Sequence, residues 1–180
     1  MRVALLGGSF DPPHLAHVQV LKYMLDSGRF DQVWVLPSPQ NPLKPASAPF
    51  ETRLEMCRLA FEGIDGRIHV LEDEGSLSGY TIDLIRHLKQ HHPAAEFTFI
   101  GGSDLAAEIP KWKESSALQA LIAFEFLPRP PQPNSPFAGI SATEIRERIK
   151  KGLPISDLVP RSVENYLRLH RLYQDAAHED

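Results

Sequence analysis

The sequence predicts an α/β protein: a doubly wound, mostly parallel sheet of about five strands, with helices on both faces and a small C-terminal helical region. Three observations predict it. Short apolar runs recur along the chain at lengths suited to buried strands. Longer segments with apolar residues at helical spacing alternate with them. Between the first such pair lies a glycine turn that leads directly into two histidines, His14 and His17.

Arg2–Leu6 is mostly apolar and reads as the first strand, and Leu15–Leu25 as the first helix, with Val18, Leu21, Met24 and Leu25 inward. Between them, Gly7 and Gly8 let backbone N–H groups approach a ligand with no Cβ in the way. The start of the following helix points further N–H groups and a positive dipole end at the same place. That combination predicts a phosphate site. His14 and His17 share a helical face and reach whatever the glycines hold. Neutral imidazoles donate one hydrogen bond each, and charged ones add cationic stabilisation. The pair also fits a fragment of a zinc site or two surface histidines. A single cysteine and the lack of a nearby carboxylate argue against zinc. The glycine pattern is neither the dinucleotide fingerprint nor a Walker loop.

Gln32–Pro37 reads as the second strand. The proline-rich loop 38–49 follows, with Lys44 as its only charge. Lys44 is either a solvated linker lysine or a phosphate ligand at a strand's carboxyl end, where open sheets bind ligands. Glu51–Phe61 predicts an amphipathic helix whose Arg53 is suited to orienting the loop before it. Ile68–Leu71 predicts the third strand. The acidic run Glu72-Asp73-Glu74 fits a solvated loop better than a metal site. A helix from about Thr81 to Gln90 is capped by Ser78 or Thr81 in this reading.

Phe97–Ile100 predicts the fourth strand, ending in Gly101-Gly102-Ser103-Asp104. Asp104 is thereby placed to accept hydrogen bonds from ribose hydroxyls. Leu121–Leu127 predicts the fifth strand, and the prolines of 128–136 a stiff, extended connector. Ser141 or Thr143 starts a helix with Arg146 one turn in, a second anion cradle or a plain capped helix. Ser162–Tyr173 predicts a last amphipathic helix, and 175–180 a frayed end.

The length of 180 residues fits one domain, 1–180, with a core over 1–139 and C-terminal helices over 140–180. A net charge of −4 gives no global attraction to nucleic acid or anionic membrane, so an anion site has to be local. No run spans a bilayer and no signal-peptide pattern opens the chain. The single Cys57 excludes a disulfide framework and fits core packing in a reducing cytoplasm.

Two motifs carry a resemblance to a known family. Gly7-Gly8-Ser9-Phe10-Asp11-Pro12-Pro13-His14-Leu15-Ala16-His17 resembles the Gly-Gly-Thr/Ser-Phe-Asp-Pro-x-His-x-Gly-His signature of the nucleotidylyltransferases, whose fold is Rossmann-like. Ile140-Ser141-Ala142-Thr143-Glu144-Ile145-Arg146 resembles their Ile-Ser-x-Thr-x-Ile-Arg signature. Arg53 and Met56 are similar to an Arg-x-x-Met pattern. Ser78-Gly79-Tyr80-Thr81 and Pro110-Lys111-Trp112 resemble elements of the nicotinate-specific branch. Two departures stand out: Leu43 replaces a usual histidine before Lys44, and the connector after Arg129 is shorter than usual.

The resemblance implies an adenylyltransferase moving AMP from ATP to nicotinate mononucleotide, giving deamido-NAD and pyrophosphate. It implies His14, His17 and Arg146 as catalytic residues, and ATP contacts from Gly8, Ser9, Phe10, Gly102, Asp104, Ile140, Ser141 and Thr143. It assigns Ser9, Lys44, Tyr80, Thr81 and Trp112 to the mononucleotide, with Mg²⁺ carried by the ATP phosphates and no protein metal ligand. Trp112 on these grounds stacks on the pyridine ring; on its own it fits a core tryptophan equally well. The partners implied are these nucleotides, with no nucleic acid or membrane; a homo-oligomer is compatible. A related transferase using nicotinamide mononucleotide or phosphopantetheine is the alternative enzyme. A non-catalytic nucleotide-sensing domain is the alternative of another class.

Overall fold

The computed structural model describes residues 1–39, 46–73 and 77–174. Five strands form one parallel sheet: β1 (Arg2–Gly8), β2 (Gln32–Pro37), β3 (Ile68–Val70), β4 (Glu96–Gly102) and β5 (Ala123–Leu127). Their order across the sheet is β3-β2-β1-β4-β5. The chain first winds outward from β1 to β3, then crosses back to β4 on the other side of β1. The direction of winding therefore reverses between β1 and β4, which is where an open α/β sheet opens a crevice at its carboxyl end.

The pleat sends alternate side chains to opposite faces. Ala4, Leu6, Val33, Val35 and Ile100 face one buried cluster. On that side pack α1 (Leu15–Asp26), α2 (Phe50–Phe61), α5 (Ala142–Lys150) and α6 (Arg161–Leu169), contributing among others Leu21, Met56, Ile145 and Val163. Val3, Leu5, Trp34, Phe97 and Phe99 face the other cluster, covered by α3 (Thr81–His91) and α4 (Ser115–Leu121). Cys57 is fully buried on α2, and burial pushes its thiol pKa up, so it packs and does not react. Among the described residues no helix is long and apolar enough to cross a membrane.

Several boundaries differ from the sequence expectation. Gly7 and Gly8 pair with Leu36 and Pro37 and so end β1, while the turn itself falls on residues 9–14. A Cβ on Gly7 would lie 2.7 Å from the Phe99 ring, which is why the strand needs glycine there. Likewise β4 runs on through Gly101 and Gly102, paired to β5. Leu121 closes α4, and β5 starts two residues later. Helix α3 has no side-chain cap: its N-cap residue is Tyr80, while the Ser78 hydroxyl donates to Asp83 at 2.5 Å and accepts from Tyr80 N–H at 3.3 Å.

The last helix stops at Leu169. Arg171 and Tyr173 then adopt left-handed φ values of 50° and 61°, ending in a turn that folds back on the domain. The connector after β5 is not extended either. Its backbone closes two turns, Gln132 N–H to Arg129 O at 2.9 Å and Ser135 N–H to Gln132 O at 3.0 Å. The Ser135 hydroxyl also donates to Pro128 O at 3.0 Å. Phe137 packs onto Tyr23, so the connector lies over α1.

Candidate functional site

At the carboxyl end of β1, β4 and β5 lies a cavity of about 490 Å³. Its walls are the turn after β1, the first turn of α1, the ends of β4 and β5, the folded connector and the start of α5. It thus sits at the reversal point of the sheet.

The turn after β1 is held from beneath by two buried charges. Asp11 is one. Its carboxylate accepts from Ser47 N–H at 2.6 Å, Ala48 N–H at 3.1 Å and the Tyr173 hydroxyl at 2.7 Å. Arg53, only 1 % exposed, is the other. It donates to Ser9 O at 2.6 Å, Ser38 O at 2.7 Å, Pro39 O at 3.0 Å and Ala48 O at 3.0 Å. Burying a guanidinium costs several kcal/mol. Hydrogen bonds from a charged donor return about 1.5–3 kcal/mol each, enough to offset that cost. Phe10 completes the turn at φ 48°, with its ring buried against Phe61 and edge-on to His17 at 4.8 Å.

His14 and His17 stack at 3.7 Å with their planes 22° apart. The backbone N–H of His14 donates to His17 Nδ1 at 3.1 Å. An accepting Nδ1 carries no proton, so neutral His17 holds its proton on Nε2. His14 is buried, and its Nδ1 has no hydrogen-bond partner among the described residues. Burial, reinforced by the Arg129 charge, lowers the His14 pKa to about 4. His17 is half-buried, and burial together with His14 and Arg129 holds its pKa well below the usual histidine value. Both rings are therefore neutral at pH 7. The start of α1 is less open than a bare helix end, because Leu15 N–H donates to Leu158 O and His17 N–H to His14 O, each at 2.9 Å.

Across the cavity, Ser141 caps α5 by accepting Glu144 N–H at 3.1 Å. Its own O–H proton remains available to a ligand. Arg146 Nη1 donates to Asp11 O at 2.6 Å, and Nη2 to Thr143 Oγ1 at 3.4 Å. One cavity is thus lined by Gly8, Ser9, Phe10, His14, His17, Gly102, Ile140, Ser141, Thr143 and Arg146 together.

Other expected site residues lie elsewhere. Lys44 is outside the described residues. Asp104 lies in a short 3₁₀ turn, Ser103–Ala107, and pairs with Arg129 at 3.1 Å. Tyr80, Thr81 and Trp112 do not line the cavity. Trp112 is partly buried and meets Phe99 edge-on at 5.7 Å. Tyr80 is exposed under Lys113 Nζ, 4.5 Å from its ring centroid. These residues stand on the second face, beyond Phe99 and Gly7.

Sequence reasoning passed over Arg129 as part of a connector. It lines the cavity, and a Cβ on Gly102 would lie 2.6 Å from its Cδ. The signal was present: Arg129 follows β5 at the carboxyl end, as Asp104 follows β4. Among the described residues no three His, Cys, Asp or Glu side chains are arranged to hold a metal ion. Asp11 lines the cavity, but its oxygens are engaged by backbone and tyrosine donors. Neutral imidazoles, two arginines and hydroxyl groups make a donor-rich pocket suited to an anion.

This is a nucleotide-binding α/β domain by fold and by site. Residues 5–148 match the cytidylyltransferase-like family model. A protein of Anaeromyxobacter dehalogenans strain 2CP-C named "probable nicotinate-nucleotide adenylyltransferase" is 39 % identical, over 96 % of each chain. One of the same name from Myxococcus xanthus is 37 % identical, over 96 % of this chain and 95 % of its own. The solved structure of Plasmodium falciparum nicotinic acid mononucleotide adenylyltransferase complexed with NaAD is similar with a TM-score of 0.78 and 25 % identity, covering 96 % of this chain and 97 % of that one. The chain belongs to the cytidylyltransferase-like family, in its nicotinate-nucleotide adenylyltransferase branch.

Proposed function

We propose that this protein transfers the adenylyl group of ATP to nicotinate mononucleotide in the cytoplasm, forming deamido-NAD and pyrophosphate. The observation that carries this reading is the single cavity shared by the stacked histidines and the Arg146 helix start. A phosphate oxygen of the mononucleotide attacks the α-phosphorus in line. One P–O bond forms, the bond to the β-phosphate bridging oxygen breaks, and pyrophosphate leaves with that electron pair. The nucleophile is already ionised, so the protein's tasks are placement and charge stabilisation.

His17 Nε2–H and the His14 ring donate to the α-phosphate oxygens. Arg146, Ser141 and Thr143 hold the β- and γ-phosphates, and Gly102 and Asp104 meet the ATP ribose. Ser9 and Lys44 hold the mononucleotide phosphate. Tyr80, Thr81 and Trp112 receive the nicotinate ring and carboxylate, which places the acceptor on the Phe99 side of β1. ATP would carry Mg²⁺ on its phosphates, where the cation would offset the triphosphate charge beside Arg146. The test is pyrophosphate release with ATP, Mg²⁺ and a panel of nicotinate mononucleotide, nicotinamide mononucleotide and phosphopantetheine. Nicotinate mononucleotide is expected to give the highest kcat/KM, because donors matched to a carboxylate are left unpaired by an amide. Equal values for the acid and the amide reject this acceptor.

A further inference from the structure

Tyr173 lies 162 residues from Asp11 in sequence, yet its hydroxyl donates to Asp11 Oδ1 at 2.7 Å. It gets there by a costly route. The chain leaves α6, passes through left-handed backbone at Arg171 and Tyr173, and lays the ring against the first core cluster. Left-handed φ in two non-glycine residues persists only where the surroundings impose it. The contact it makes is with the charged group directly beside Arg146. Arg146 Nη1 sits 3.7 Å from Asp11 Oδ2, beyond a hydrogen bond, while donating to the Asp11 carbonyl. The Asp11 carboxylate is meanwhile supplied by two backbone N–H groups and by Tyr173.

We propose that Tyr173 is a positioning residue: by donating to Asp11 it keeps that carboxylate from closing onto Arg146, which stays directed at the triphosphate. This rests on the nucleotide reading of the cavity. A carboxylate that loses one of three donors in a buried setting draws harder on the nearest cation. The cation 3.7 Å from that carboxylate is the guanidinium that the cavity needs. Burial and the Asp11 hydrogen bond both raise the Tyr173 pKa, so the hydroxyl keeps its proton and remains a donor at and above neutral pH. The tail beyond α6 is on this account a part of the ATP site that never touches ATP.

The test is calorimetric binding of α,β-methylene-ATP with Mg²⁺ to the full chain, in a double-mutant cycle of Tyr173→Phe and Arg146→Ala, with a thermal melt of every variant. Tyr173→Phe is expected to weaken binding about tenfold while melting cooperatively within a few degrees of the parent. In the Arg146→Ala background the same change is expected to have no further effect, because the group it protects is gone. Unchanged binding in Tyr173→Phe overturns the proposal. So does an equal loss in both backgrounds, or loss of cooperative melting, since either makes Tyr173 a fold-holding residue only. A parent protein that binds the analogue with this Tyr173 dependence but releases no pyrophosphate with nicotinate mononucleotide removes the acceptor assignment and leaves this proposal standing. No binding of the analogue by the parent removes both.

Discussion

Two crevices open at opposite ends of the same strands. The carboxyl-end cavity holds about 490 Å³ and the amino-end one about 470 Å³. What separates them is the state of their polar groups. At the amino end Arg29 makes a two-pronged bond to Glu125 at 2.8 and 2.7 Å, and Arg2 pairs with Asp31 at 3.0 Å. Both arginines there already have carboxylate partners on the surface. At the carboxyl end His14 Nδ1 is buried with no partner among the described residues, and Ser141 still has a proton to donate. Glycines there bring the backbone close to where a ligand would lie. A crevice becomes a site when the fold buries hydrogen-bonding capacity that it does not itself use.

That contrast can be broken by mutation at either end. The largest effect is expected from His17→Ala, which should lower kcat by about two decades or more while changing the affinity for an ATP analogue far less. Steady-state pyrophosphate release beside calorimetric binding reads both; an unchanged kcat removes His17 from the chemistry. Next comes the acid stability of the carboxyl end. A histidine whose pKa is about 4 when folded and 6.5 when unfolded binds its proton in the unfolded chain first. Its contribution is intact above pH 6.5 and is lost as the pH falls toward 4, by roughly 3 kcal/mol in all. His17 acts in the same direction. Denaturant midpoints between pH 7 and pH 4 should therefore fall less steeply in His14→Gln than in the parent, and parallel curves would contradict the burial argument. The smallest effect belongs to the amino end. Glu125→Gln should leave kcat/KM unchanged and shift stability by about 1 kcal/mol or less, as exposed pairs do. A several-fold loss of activity there would dissolve the distinction between the two ends.

Most of the sheet was legible because buried parallel strands are continuous apolar runs. Gln32–Pro37 has identical bounds in sequence and structure. The two motifs that face each other across the cavity were legible for a local reason too: each is a strand end or helix start whose chemistry is written in consecutive residues. What escaped is non-local. Nothing near Tyr173 in sequence announces Asp11, and nothing near Arg129 announces the histidines whose protons it discourages. Arg53 could be flagged by its position in a helix, but its four carbonyl partners come from three separate segments. Hydroxyls misled at Ser78, whose proton goes to Asp83 and whose oxygen accepts Tyr80 N–H, before the helix begins. Prolines misled in the connector, where Ser135 turned back to bond Pro128.

The grip of Arg53 has a consequence beyond stability. Its guanidinium joins Ser9, which follows β1, to Ser38 and Pro39, which follow β2. A lysine carries its charge at one point and lacks the planar fork that meets several carbonyls at once, so Arg53→Lys is not a conservative exchange. The two loops rising from neighbouring strands share one internal brace. Whatever settles the first of them onto a triphosphate also fixes the base of the second, where the other reactant is expected to arrive.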